Sequence, residues 1–126
     1  MHHHVMYPLL CLLLAQSSTL YSAERQDTIV GRATYYSDKF QGRKMSNGEK
    51  YHRDSLTCAH MKLPFGTMLK VTNQKNNKEV ILRVTDRGPH SKRFIIDVSR
   101  AAAETLGFSR DGVAKVQVVI LSSPKK

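Results

Sequence analysis

The sequence has no tryptophan, only two cysteines, and seven glycines in 126 residues, and each shortage closes off a class of protein. Two cysteines cannot build the disulfide framework of a small secreted scaffold. Seven glycines without a period exclude a fibre, while 40% hydrophobic residues are too many for a disordered chain. There is no glycine-rich phosphate loop, and His52, His60 and His90 lack ligand-like spacing, so neither a nucleotide cofactor nor a metal is indicated. Acids are scarce as well: 10 Asp and Glu stand against 20 Lys and Arg, for a formal net charge of +10. What remains is a single small basic globular domain.

Charged side chains are missing altogether from residues 1–23. The apolar stretch from Val5 to Ala15 is too short to span a bilayer but has the length of a signal-peptide core, and small residues follow it up to Tyr21-Ser22-Ala23. The pattern therefore predicts a cleaved leader over 1–23, a linker over 24–28, a folded domain over 29–121 and a disordered tail over 122–126. His2, His3 and His4 occupy the place where such leaders carry Lys or Arg. Cys11 follows the bulky Leu10, which disfavours a lipid anchor. Once the leader is gone, Cys58 is the only thiol, no intrachain disulfide is possible, and the mature form has no membrane span.

From residue 29 onward the chain reads as short strands. Ile29 to Tyr36 alternates with period two, as do Thr67 to Asn73, with Leu69 and Val71 on one face, and Glu79 to Thr85, with Val80, Leu82 and Val84 on one face. The polar run Gln74-Lys75-Asn76-Asn77-Lys78 joins the last two as a hairpin, since Asn tolerates positive φ. Further strands are expected at Phe94 to Val98 and Val113 to Leu121. One segment reads as helix: Ser99 caps it, Arg100 to Leu106 forms it and Gly107 closes it. Many strands with one short helix favour a small all-β barrel, which removes exposed sheet edges.

Three loops carry more polar groups than a barrel needs: Ser46-Asn47-Gly48-Glu49, Leu56-Thr57-Cys58-Ala59-His60 and Thr85-Asp86-Arg87-Gly88-Pro89-His90. Loops on a rigid barrel are where binding groups sit. Asn47-Gly48 also suits a plain tight turn, Asp86 suits a turn acceptor, and His60 suits a satisfied core histidine. Cutting a sugar linkage needs a proton donor at the leaving oxygen, for which Asp86 and Glu49 are the candidates, with His60 to orient or polarise. Cys58 and His60 are two apart and on a strand would share a face, which raises a thiol nucleophile, but nothing near Cys58 marks an activating environment, and a lone small thiol is usually core filler. The +10 charge fits either nucleic acid or an anionic envelope, and the expected export disfavours nucleic acid.

The residues from Gly31 to Leu121 resemble the double-psi β-barrel domain of the rare lipoprotein A family of bacterial cell-envelope proteins. The matching motifs are Gly31-Arg32-Ala33-Thr34-Tyr35-Tyr36, Asn47-Gly48-Glu49, Leu56-Thr57-Cys58-Ala59-His60, Leu63-Pro64-Phe65-Gly66-Thr67, Val71-Thr72-Asn73, Asp86-Arg87-Gly88-Pro89 and Ile96-Asp97-Val98-Ser99-Arg100-Ala101-Ala102. The resemblance implies a six-stranded barrel with one or two short helices. It implies a lytic transglycosylase of peptidoglycan glycan strands, favouring strands stripped of peptides, in the periplasm or cell envelope, with no cofactor and acting as a monomer.

Carried over by motif, the family's site residues are Glu49, His60 and Asp86. Asp86 is then the expected acid and base, with Glu49 and His60 stabilising the sugar cation and orienting the ring. Asn47 and Arg87 are expected to bind substrate, although Arg87 serves equally to brace its turn. Tyr35 and Tyr36 are expected to divide between a sugar face and the core. The chain departs from the family at Cys58, where alanine is common, and at Met45-Ser46, where Thr-Ala is usual; the family's glycan-binding repeat does not follow Leu121, so the barrel is expected to find substrate alone, by charge. The competing expectation is an expansin-like module that binds wall polysaccharide without cutting it.

Overall fold

A computed structural model describes residues 27–124. The expected leader lies outside the described residues, as do residues 125–126 and most of the expected linker.

Alternating sequence becomes alternating burial. In β3 (Met68–Asn73) Leu69, Val71 and Asn73 point inward, and in β4 (Glu79–Asp86) Val80, Leu82 and Val84 do. The two form the expected antiparallel hairpin, with Leu69 opposite Leu82 and Val71 opposite Val80. Its turn closes through the Asn73 N–H donating to the Lys78 carbonyl at 2.8 Å, and Asn77 supplies the positive φ of 61°.

β1 (Thr28–Tyr35), β2 (Thr57–Ala59), β5 (Ile96–Val98) and β6 (Ala114–Ser122) complete a closed barrel in the order β1-β5-β2-β4-β3-β6. Strands β1 and β5 run parallel, as do β2 and β4, and the other four pairings are antiparallel. The expected small six-stranded all-β barrel is what forms. Its edges are closed, as the sequence argument required. β6 extends through Ser122, one residue into the segment read as tail, and β5 is shorter than the Phe94 to Val98 run expected.

Leu69, Leu82, Val84, Ile96, Val98 and Val116 fill the interior at 0% exposure, so the described residues have an apolar core with no disulfide among them. Cys58 is part of that core. Gly31 is required by packing: a Cβ there would stand 2.7 Å from Ile95 Cγ2. Across one side of the barrel lies α1 (Arg100–Leu106), with Ala102, Ala103 and Leu106 buried. Ser99 caps it by accepting from the Ala102 N–H, and Gly107 ends it in the left-handed region at φ 77°. Asn73, buried in β3, donates to the Leu106 carbonyl at 2.8 Å, which satisfies both a core amide and a helix end.

Thr57–Ala59 is a strand and not the polar loop suggested by its composition. All three residues are buried and too few to show a period. This strand organises the site, because Ala59 is in register with Asp86 on one side and with Asp97 on the other.

Candidate active site

Strands lie about 4.8 Å apart, so two carboxylates in register across Ala59 have Cα atoms roughly 10 Å apart, with side chains long enough to converge. Both line one cavity of about 520 Å³, together with Tyr35, Tyr36, Arg87 and His90. Lys39, Phe40, Arg43 and Lys44 close its other wall.

The two acids are held very differently. Asp86 Oδ1 accepts from the Ser46 N–H at 2.8 Å, the Ser46 hydroxyl at 2.7 Å and the Arg87 N–H at 2.9 Å, while Oδ2 accepts from the Tyr36 hydroxyl. Burial pushes its carboxyl up, but the hydrogen bonds from Tyr36, Ser46 and Arg87 together outweigh it and hold the group below the usual aspartate value. Asp97 has one donor, the Thr34 hydroxyl. Burial raises its carboxyl, Thr34 opposes, and the negative charge of Asp86 raises it further. Gly88 passes beside it, where a Cβ would stand 3.4 Å from Asp97 Oδ2. The cavity therefore contains one carboxyl held below the ordinary aspartate value and one held above it. Two neighbouring acids pushed apart in this way are the usual basis of acid and base roles.

Tyr36 belongs to this site and Tyr35 belongs more to the core. The Tyr36 ring stacks on Tyr51 at 4.4 Å and meets Phe40 edge-on at 5.8 Å. Burial and the Asp86 bond push its hydroxyl well above the ordinary tyrosine value, so it stays a donor. The Tyr35 hydroxyl donates to the Ser109 carbonyl at 2.6 Å and its ring meets Phe108 edge-on. Arg87 braces: Nη1 donates to the His60 and Leu63 carbonyls at 3.0 and 2.8 Å, and its guanidinium lies 4.0 Å from the Phe65 ring centre.

Glu49, Asn47 and His60 stand outside the residues lining the cavity. Glu49 is exposed and makes a two-pronged pair with Arg83 at 2.9 and 3.1 Å, which holds its carboxyl below the usual glutamate value. Asn47 makes a turn with it: its side chain accepts from the Glu49 N–H and donates to Glu49 Oε2, each at 3.0 Å. Both are tied to the site through Ser46. The His60 N–H donates to the Asp86 carbonyl at 3.1 Å, and Nδ1 accepts from Lys62 and Leu63 N–H groups at 3.1 Å, so the ring proton sits on Nε2. Burial, then the charges of Arg87 and Lys62, lower its pKa and keep the ring neutral near pH 7.

The departures noted in the sequence have local reasons. Met45 is buried and its sulfur accepts from the Thr85 hydroxyl, while Ser46 adds a hydroxyl donor to Asp86. Burial pushes the Cys58 thiol up to about 12, so it is filler and not a nucleophile at neutral pH. Among the described residues no group of three or more His, Cys, Asp or Glu is placed to hold a metal. Sequence reasoning missed Asp97 as a site residue; the available signal was a lone acid between Ile96 and Val98 in an otherwise apolar strand.

A family described as lytic transglycolases matches residues 28–118. The endolytic peptidoglycan transglycosylase RlpA of Rickettsia bellii is 47% identical over 103 residues, covering 79% of this chain and 45% of that protein. Its namesake in Neisseria meningitidis serogroup A is 50% identical over 91 residues, covering 72% and 38%. The chain thus spans less than half the length of these relatives. Among solved structures, a mutant Clavibacter michiganensis expansin in complex with cellohexaose superposes with a TM-score of 0.63 at 22% identity, covering 79% of this chain and 53% of that one. A Streptomyces papain inhibitor superposes at 0.62 with 23% identity, covering 76% and 96%. These two likenesses concern the fold.

Proposed function

Because the chain belongs to the lytic transglycolase family, we propose that it is an endolytic peptidoglycan lytic transglycosylase. In this reading it cleaves the β-1,4 bond between N-acetylmuramic acid and N-acetylglucosamine in peptide-poor strands and leaves 1,6-anhydromuramic ends. The observation that carries the reading is the pair of unequally held carboxyls in one cavity, Asp86 gripped by four donors and Asp97 by one.

The pair suits a reaction in which the nucleophile belongs to the substrate. Asp97 gives its proton to the glycosidic oxygen as the bond to muramic C1 breaks. Asp86, already an anion, faces the positive charge that develops on the ring. The muramic C6 hydroxyl then attacks C1, and its proton returns to Asp97, so atoms and charge balance and no water is consumed. The acid role expected of Asp86 from its motif passes to Asp97 on this reading, since a carboxylate with four donors is poorly placed to hold a proton. Tyr36 keeps Asp86 ionised and aimed, and neutral His60 offers Nε2–H to substrate at the edge of the site. Glu49 and Asn47 act through the loop that presents Ser46. Tyr35 and Arg87 complete the wall.

The test is incubation of the full chain with peptide-free glycan strands and mass spectrometry for anhydromuramyl ends. Their absence across pH 4 to 8, with glycan binding retained, would favour the wall-binding module instead. We also place the protein in the bacterial envelope as a monomer, with residues 1–23 as a leader. No helix among the described residues is long and apolar enough to cross a membrane. N-terminal sequencing of the exported protein checks the leader.

A further inference from the structure

The cavity has a charge asymmetry that its two acids do not require. One wall is built by the segment after β1, where a 3-10 turn (Asp38–Phe40) is followed by a bridge between Lys44 and Lys50. This segment places Lys39, Arg43 and Lys44 on the cavity. Among the described residues none of the three forms an ion pair. The acid beside them, Asp38, is committed elsewhere, to Arg100 at 3.2 Å and Arg53 at 3.8 Å.

The wall is also shaped. Lys39 Nζ lies 5.4 Å and Arg43 Cζ 5.5 Å from the centre of the Phe40 ring, so two cations rest on one aromatic ring. The Arg43 backbone is pinned on both sides: its N–H donates to the Phe40 carbonyl at 2.9 Å, and its carbonyl accepts from the Tyr51 N–H at 2.7 Å. Four cations, Lys39, Arg43, Lys44 and Arg87, line the cavity against two carboxyls, Asp86 and Asp97, and the three on this wall are unpaired, so the wall keeps an excess of positive charge that an anionic ligand group would meet.

We propose that Lys39, Arg43 and Lys44 form a carboxylate subsite that reads the lactyl acid of a muramic residue by its charge. The proposal rests on the glycan reading above. A free lactyl group ends in a carboxylate; a stem peptide converts the same carbon to an amide and removes the charge there. An anion on this wall selects peptide-free sugar even before bulk is considered.

The experiment separates charge from size. Peptide-free strands are prepared with the lactyl acid free, or converted to the primary amide, which is nearly isosteric and neutral. The full chain is compared with the triple variant Lys39→Gln, Arg43→Gln, Lys44→Gln; all three positions are exposed. Circular dichroism confirms its fold, and the Lys44→Gln single variant serves in its place if the triple does not fold. Exposed charge contacts are each worth a fraction of a decade in affinity, so three should give the parent roughly a tenfold preference in kcat/KM for the acid strand. In the triple variant the ratio should approach one, with a smaller drop for the single, and added salt should erode the parent's preference. Equal use of both strands by the parent, or a preference that survives in the variants, overturns the subsite. If no anhydro ends form from either strand, the enzyme reading fails on its own. Binding of the two strands by fluorescence anisotropy then decides the subsite by the same ratio.

Discussion

Replacing each cavity carboxyl by its amide should move stability in opposite directions. In Asp86→Asn the amide oxygen takes the place of Oδ1 and keeps the bonds from Ser46 N–H, Ser46 hydroxyl and Arg87 N–H, while the NH2 faces Tyr36. Hydrogen bonds to a charged group are worth about 1.5–3 kcal/mol and neutral ones about 0.5–1.5. Losing about 1 kcal/mol at each of four bonds, discounted because the Ser46 side is open to solvent, leaves a cost of about 2 kcal/mol, or roughly 10 °C in Tm for a domain this size. Asp97→Asn keeps its acceptor for Thr34 and removes a group that burial and Asp86 both disfavour as an anion. Its Tm at pH 7 should equal or exceed the parent's.

The pH dependence has matching signs. A carboxyl raised in the fold makes the parent lose stability as pH climbs from the ordinary aspartate value to the Asp97 value, and the loss persists above it. The gain in Asp97→Asn is therefore largest at neutral pH and vanishes below about pH 4. Asp86 contributes stability above the ordinary value that is lost as pH falls through its lowered one, so the Asp86→Asn penalty shrinks in acid. Cleavage should fall about 10²–10⁴-fold in Asp97→Asn, which is about 3–5 kcal/mol on the barrier, and should fade in the parent as pH rises through the Asp97 value. Thermal melts at pH 4 and 7 with anhydromuramyl assays read all of this. An Asp97→Asn protein that melts as low as Asp86→Asn at pH 7 would refute the proton assignment, whatever its activity.

Ser46→Ala removes one of the four donors on Asp86; it should cost about 1 kcal/mol by thermal melt and move the acid limb of the pH–rate profile upward, since Asp86 ionises less readily. If Glu49 acts by holding the Ser46 loop through Arg83, then Glu49→Gln and Arg83→Ala should lower cleavage to a similar extent and the double variant should be little worse; additive losses would mean Glu49 touches substrate itself. Cys58 should be inert to a thiol reagent in the native protein and react only as fast as the fold opens, whereas rapid labelling at neutral pH would contradict its burial.

Much of the barrel was legible because its longer strands expose one face. β3 and β4 alternate cleanly, and Ser99 and Gly107 punctuate α1 at the positions their chemistry predicts. The short strand β2 carried no such signal. Thr57–Ala59 is buried on every residue, so its polar and small composition looked like loop. Asp97 was passed over for another reason: its run was read as a strand, but a lone acid between the buried Ile96 and Val98 was not read as a site. Motifs brought attention to Asp86 but could not reveal that four donors, from three separate segments, fix its charge. That depends on the closure of the barrel, which sets Asp86 and Asp97 on either side of Ala59.

The two carboxyls stand on barrel strands, β4 and β5, whereas Lys39, Arg43 and Lys44 stand on the segment between β1 and β2, which contributes no strand. The same segment also brings Tyr36 and Ser46, which supply three of the four donors on Asp86, and the buried Met45 and Tyr51. The grip on the acid and the proposed grip on the glycan therefore share one stretch of chain. On the proposed reading, single substitutions at the exposed Lys39, Arg43 and Lys44 are the route to a different taste in glycan, whereas exchanging the whole segment between relatives would exchange the hold on Asp86 as well.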